Sequence, residues 1–279
     1  MRVVYYPIAL VLALMIISFS LDASRLTRIA SSHLDIEQSA ELAWKSILEN
    51  LSFSLYSGAS ETKARVTDLL EEAARRQVFA LRASLAFLLV TIAFVGARAW
   101  RADGDRQFHS LSLTADFLAI GVICLVVGLV APVLSLKAYT NLPVLGQVVL
   151  KYEAKSVLTT IGALAKANNY FIAMLVAAFS VITPFMKILV AIVVVQHRWP
   201  RWHARGLKFI KAIGKWSMAD VFVVAVLVAY FAASGDEFSE AAVGLGLYFF
   251  SAYCLLSQYA THALMRSFEG DLSTAGGWD

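Results

Sequence analysis

The sequence predicts an all-α membrane protein: about six transmembrane helices, with a helical hairpin standing outside the bilayer between the first two. Three observations predict this class. Hydrophobic residues make up 59% of the 279 and charged residues only 16%, against roughly 45–50% and 25% in an average soluble domain, and the mean hydropathy is +0.69. That apolar excess cannot be hidden in a water-soluble core. Apolar runs of spanning length then recur along the chain, and between the first and second of them the pattern changes from continuous to periodic. The formal net charge of +4 is the modest basic excess usual for cytoplasmic loops, and nothing in the chain points to nucleic acid.

The first run, Val3–Leu21, follows a single basic residue, Arg2. Small residues in Ser18–Ala23 would suit a cleavable secretory signal, whereas Met1 kept at the head of the run favours a retained signal anchor. Five further runs reach the roughly 20 residues that a spanning helix needs. They are Val78–Ala97, Phe117–Leu136, Tyr170–Val195, Val221–Ala233 with its flanks, and Val243–Leu264. The fifth span is long enough only if it begins near Trp216.

Residues 24–77 read differently. Leu26, Ile29, Leu34, Ile36, Leu42, Trp44, Ile47, Leu48 and Leu51 recur at three- and four-residue steps among charged and small residues, an amphipathic helical pattern. Ser57-Gly58-Ala59-Ser60 breaks it, and a second arm, Glu61–Gln77, carries Val66, Leu69 and Leu70 into the second span. One hairpin buries little apolar area, so it is expected to pack on a partner or on itself, in a homodimer through residues 24–77.

Lysine and arginine in the short connections set the orientation. The link from Gln196 to Ser217 holds Arg198, Arg201, Arg205, Lys208, Lys211 and Lys215, whereas Ser234–Ala242 holds none and carries Asp236, Glu237 and Glu240. This places 196–217 in the cytoplasm, both ends of the chain inside, and the hairpin and residues 137–169 outside. Trp100, Trp199, Trp202 and Trp216 fall at the inner boundary, where indole rings prefer to sit.

The candidate functional residues are the polar ones at bilayer depth. Lys187, in Thr183-Pro184-Phe185-Met186-Lys187, lies about eight residues from the inner end of the fourth span, roughly 12 Å deep. A charge at mid-bilayer costs about 2.5–3.5 kcal/mol on insertion scales. Either its stem snorkels to the headgroups or it finds a partner, and Asp220, near the start of the fifth span, is available at similar depth. Such a pair is rarely net stabilising, so its retention points to use in proton coupling or gating. The plainer role for Asp220 is an acid at a helix N-terminus. Pro184 is expected to kink the fourth helix and free the Ser180 carbonyl, and Pro132 to do the same near the outer end of the third. Thr183, Ser135 and Ser217 can re-satisfy freed groups or line a polar cavity.

Other polar positions have simpler readings. Arg82 is a snorkelling anchor. Gly121, Gly128, Gly244 and Gly246 mark close helix packing. The five histidines, His33, His109, His197, His203 and His262, are scattered over loops and ends, and Cys124 and Cys254 lie singly in apolar runs, so neither a metal site nor a disulfide is expected. No Walker loop, catalytic triad order or metalloprotease motif is present, so no enzyme activity and no cofactor are expected. In the outer segment, Leu142–Leu150 is β-like and Ser156–Ala167 reads as a short amphipathic helix, a plain loop or else a platform for a partner or lipid.

Trp216-Ser217-Met218-Ala219-Asp220-Val221-Phe222, the element Pro184-Phe185-Met186-Lys187 and the stretch Pro132–Gly162 with Leu145-Gly146-Gln147 resemble the membrane domain of the paraquat-inducible protein A family. The resemblance runs from Phe117 to about Arg266, a little over half the chain. It implies four spans around a polar cavity, with Lys187, Asp220 and Ser217 lining it. It also implies work at the bacterial inner membrane with membrane phospholipid and a periplasmic partner of the mammalian-cell-entry (MCE) fold. The chain departs from the family pattern: it has no zinc-ribbon cysteines and one copy of the membrane domain, with a hairpin and two extra helices ahead of it. Three parts follow: 1–107, the hairpin with its two spans; 108–268, the four-helix domain; and 269–279, a cytoplasmic tail. The expected function is a component of phospholipid transport, with proton coupling through Lys187 and Asp220. The alternative is an organiser that docks a periplasmic protein and moves nothing. A sensor is disfavoured for want of an output domain.

Overall fold

Backbone amides in hydrocarbon have no water to bond, so an apolar run closes its own hydrogen bonds as a helix. In a computed structural model, which describes residues 1–32, 58–100, 106–142, 146–196 and 239–275, helices accordingly dominate. They are α1 (Arg2–Ser32), α2 (Gly58–Trp100), α3 (Arg106–Val130), α4 (Val157–Lys166), α5 (Tyr170–Ala177), α6 (Thr183–Gln196) and α7 (Leu245–Ala275), with β1 (Leu134–Leu142), β2 (Gly146–Lys155) and β3 (Ser239–Val243) forming one small sheet. Four described stretches are long and apolar enough to cross a membrane: Arg2–Ala30, Arg65–Trp100, Ser112–Val130 and Tyr170–Ile192. They correspond to the first four predicted spans. The sixth predicted run is helical in α7, although Gln258, Thr261 and His262 dilute its apolar character. The fifth, Val221–Ala233, lies outside the described residues, as do residues 33–57 of the hairpin and the basic link 197–217.

The N-terminal pair is an antiparallel coiled coil built on small residues. On α1, Ala9, Ala13, Ile16, Ser20, Ala23 and Ala30 are buried, with half-buried Thr27 completing steps of four and three. On α2, Val66, Ala73, Ala80, Ala83, Phe87 and Phe94 are buried, and half-buried Leu69, Arg76 and Val90 fill the same rhythm. Alternating steps of three and four keep one seam facing the partner helix, and alanine in that seam lets two backbones approach closely. The outward faces are apolar: Ile8, Leu10, Val11 and Leu14 on α1, and Leu81, Leu85, Leu88 and Leu89 on α2, are exposed. Charge brackets this band. Arg2 pairs with Asp116 at one end and Asp22 with Arg76 at the other. Twenty residues of helix between Arg2 and Asp22 rise about 30 Å, the thickness of a bilayer core. Beyond Asp22 the two helices continue past the band, which makes them the base of the predicted hairpin.

The predicted third span is corrected at both ends. Its helix begins at Arg106 and stops at Val130, where Ala131 N–H closes the last turn on the Val127 carbonyl (2.8 Å). Pro132 therefore terminates α3 rather than kinking it, since it has no amide to continue the ladder, and Leu134–Leu136 belongs to β1. The sheet order is β2-β1-β3, all antiparallel, with an irregularity in the β1–β2 register between Ala138 and Tyr139. The segment read as β-like from Leu142 is thus the close of one strand and, from Gly146, the start of the next. Ser156 caps α4 through a capping box with Thr159, as the short amphipathic helix requires. Asn168 ends that helix in the left-handed region (φ 60°), with Asn169 N–H on the Leu164 carbonyl.

Helix α7 lies along α3, and glycine makes the approach. A β-carbon at Gly128 would stand 2.7 Å from the Phe250 amide nitrogen, and one at Gly246 or Gly244 would collide with the carbonyls of Ala131 or Pro132. Both glycines use that proximity: Gly246 N–H donates to the Pro132 carbonyl and Gly244 N–H to the Val133 carbonyl, each at 2.9 Å. The core joins both helix pairs, with Tyr5, Ile16, Phe87, Leu125, Val127, Phe249 and Tyr253 among its members. Gly128→Ala is expected to lower the thermal midpoint in detergent, by overpacking worth about 1–3 kcal/mol. Gly96→Ala, which meets nothing within 4 Å, should be neutral or slightly stabilising in the same melt.

Candidate functional site

Apolar sequence from Tyr170 onward makes one helical rod, interrupted where Pro184 has no amide to give. The interruption is a widened turn: Ala178–Ile182 is a π helix between α5 and α6, the kind of insertion that often sits at functional positions. It replaces the simple kink expected from the proline. The Ala178 carbonyl accepts both the Thr183 amide and the Thr183 hydroxyl, the latter at 2.9 Å. Thr183 thus satisfies freed backbone, though at Ala178 rather than at Ser180. Pro184 is fully buried, and its carbonyl accepts the Tyr253 hydroxyl of α7 at 3.3 Å. The Tyr253 ring lies over Gly121 of α3, 3.7 Å from where a β-carbon would be. One tyrosine therefore ties α3, α6 and α7 together at the level of the widened turn.

Lys187 follows one turn later and is half buried. The buried stripe of α6 is Pro184, Ile188 and Ala191. At about 100° per residue, Lys187 stands on the flank of that stripe, neither on the lipid face nor at its centre. Thr183, Pro184 and Lys187 are thus brought together within two turns of helix. Ser135 is elsewhere, in β1, where its hydroxyl donates to the Ala242 carbonyl of β3 (3.2 Å) and bonds the Tyr152 hydroxyl. Asp220 and Ser217 lie outside the described residues.

A second polar constellation went unread in the sequence. Asp116, on the second turn of the spanning part of α3, is 3% exposed. Arg2 meets both carboxylate oxygens, through Nε at 2.8 Å and Nη2 at 3.1 Å; Arg98 Nη2 is 3.1 Å away, and the Tyr6 hydroxyl donates at 2.8 Å. Ser112 joins it, accepting from Arg2 on its carbonyl (2.9 Å) and from Arg98 on its hydroxyl (2.6 Å). Three helix ends converge on one carboxylate. The available signal was an acid one residue ahead of an apolar run that also had Arg2 and Arg98 at its neighbours' ends. A span beginning at Phe117 leaves Asp116 just outside it.

At the opposite end, Tyr152 of β2 bonds both Ser24 of α1 and Ser135, with Arg28 near; burial raises its phenol above the ordinary value, so it stays a protonated donor at neutral pH. The sheet is thereby held against the base of the hairpin.

These features define a multi-pass α-helical membrane protein with polar side chains inside its helix bundle and a small sheet at one end. The chain belongs to the paraquat-inducible protein A family, whose model matches residues 117–267. It is also similar to a protein of Haemophilus influenzae named "Probable intermembrane transport protein", 28% identical over 102 residues. That alignment covers 34% of this chain and 24% of the relative, so the chain spans about a quarter of the relative's length.

The Tyr253–Pro184 bond can be weighed by itself. Tyr253→Phe keeps the ring over Gly121 and removes the donor, and is expected to cost about 0.5–1.5 kcal/mol, read as a lower thermal midpoint with unchanged helix content.

Proposed function

We propose that the chain is an inner-membrane component of a phospholipid transport system that works with a periplasmic MCE-fold partner. The observation that carries this reading is Lys187, a cation half buried in an apolar helix, one turn beyond the widened turn that Pro184 and Tyr253 hold in place. A charge at that depth is costly, so its retention points to use. The Haemophilus influenzae relative bears the name of an intermembrane transport protein, which supports a transport role. In this reading Lys187 and Asp220, with Ser217 and Thr183, line a polar path, and proton exchange at the Lys187–Asp220 pair drives or gates lipid entry. The basic link 196–217 lies in the cytoplasm, residues 1 and 279 lie on the same side, and the hairpin and sheet face the periplasm. The contact of Tyr152 with Ser24 makes those two parts one surface, suited to a periplasmic partner.

The test is purification in detergent with analysis of bound lipid, beside complementation of a deletion strain. Wild-type protein is expected to carry phospholipid. Lys187→Ala and Asp220→Ala are each expected to abolish complementation at normal membrane levels. Absence of bound lipid, with both variants complementing fully, would point instead to an organiser that docks a periplasmic protein and moves nothing.

A further inference from the structure

Among the described residues, the helices pack most closely as two pairs, α1 with α2 and α3 with α7. The family match at residues 117–267 includes most of α3 and α7 and none of α1 or α2. What joins the pairs on the α1–α2 side therefore lies outside the matched region. Their apolar contact, for example the Phe87 and Phe249 rings with centroids 5.7 Å apart, offers little preference in a membrane, because lipid tails are as good a neighbour as a phenylalanine. A carboxylate has no such substitute. Asp116 stands one residue ahead of the matched region, on the helix that opens it. Its two oxygens take Arg2 and Tyr6 from α1 and Arg98 from α2.

We propose that Asp116 is the docking residue through which the family domain holds the α1–α2 pair, with Arg2 and Arg98 as the recognised groups. The partner surface is in cis: an arginine at the start of one helix and another near the end of its antiparallel neighbour, brought to the same level by the coiled-coil register. The geometry suits the task. The guanidinium of Arg2 is bidentate on the carboxylate, which fixes angle as well as distance. Ser112, one turn before Asp116, accepts from both arginines, so the recognition site is a two-residue face of α3 rather than one charge. With Asp116 only 3% exposed, neutralising its carboxylate leaves two arginines facing each other without their shared counter-ion. At the far end, Tyr152 with Ser24 provides a second, uncharged attachment. With two anchors about 30 Å apart along α1, the hairpin base is held in register with the sheet. This docking is independent of whether the chain moves lipid.

The experiment uses the full chain with a specific protease site placed in the link at residues 101–105, purified in dodecyl maltoside, then cut. Release of the N-terminal piece is followed by size exclusion. The two pieces are expected to stay together in the otherwise wild-type protein. In Asp116→Asn, the N-terminal piece is expected to leave at least about tenfold faster, since losing one partner of a buried charged bond acts mainly on dissociation. Arg2→Lys, which keeps the charge and loses the bidentate contact, should fall between. Circular dichroism before cutting checks that Asp116→Asn retains its helices. Should it not, Arg2→Gln decides, because that side chain is 44% exposed and its loss leaves no hole in the core. The proposal is overturned if the uncharged variant that folds releases its N-terminal piece no faster than wild type, or if the wild-type pieces separate at once on cutting.

Discussion

A helix in hydrocarbon gains little by exchanging lipid neighbours for protein ones, so association depends on contacts that lipid cannot imitate. Two kinds are present. One is backbone-close packing, seen where Gly128 lies under Phe250, where Gly246 bonds the Pro132 carbonyl, and along the alanine seam of α1 and α2. The other is polar contact between elements: Tyr253 on Pro184 and the arginines on Asp116 between helices, and Tyr152 of the sheet on Ser24. The first kind makes pairs. The second positions one pair against another and holds the broken rod α5–α6 in place.

The widened turn matters for Lys187 because it changes azimuth. A π turn holds one more residue than an α turn, and everything after it is rotated relative to an unbroken helix by about 100°. Lys187 stands where it does because Ala178–Ile182 is wide, and that width is kept by Thr183 capping Ala178 and by Tyr253 meeting Pro184. The side chains that matter to the lysine are thus on two other turns and another helix.

Much of this was legible in the residues. Hydropathy alone located four spanning stretches, the amphipathic pattern of Ser156–Ala167 announced α4, and the glycines at 128 and 246 were correctly read as close approaches. The family resemblance, from Phe117 onward, coincides with the matched residues 117–267. What escaped has physical reasons. Leu134-Ser135-Leu136 is as apolar as the helix before it, so the strand was absorbed into the span although Pro132 forbids that. The seam Ala9-Ala13-Ile16-Ser20-Ala23 is invisible to a hydropathy window, because its neighbours are more apolar than its members. A π turn has no local signature. Asp116 and Arg2 are 114 residues apart, and no local pattern announces such a pair. The pairing of Lys187 with Asp220 falls outside the described residues.

Helix α2 runs without interruption for 43 residues, from Gly58 to Trp100, about 65 Å of rod. Its C-terminal half is the most apolar part, and its N-terminal half continues beside α1 past the Asp22–Arg76 pair. A continuous rod has no joint at the water boundary. Whatever tilts its foot by a few degrees must sweep its tip through several ångströms, and a push on the tip must be felt at the foot. The membrane domain and whatever touches the far end of that rod are, mechanically, parts of one lever.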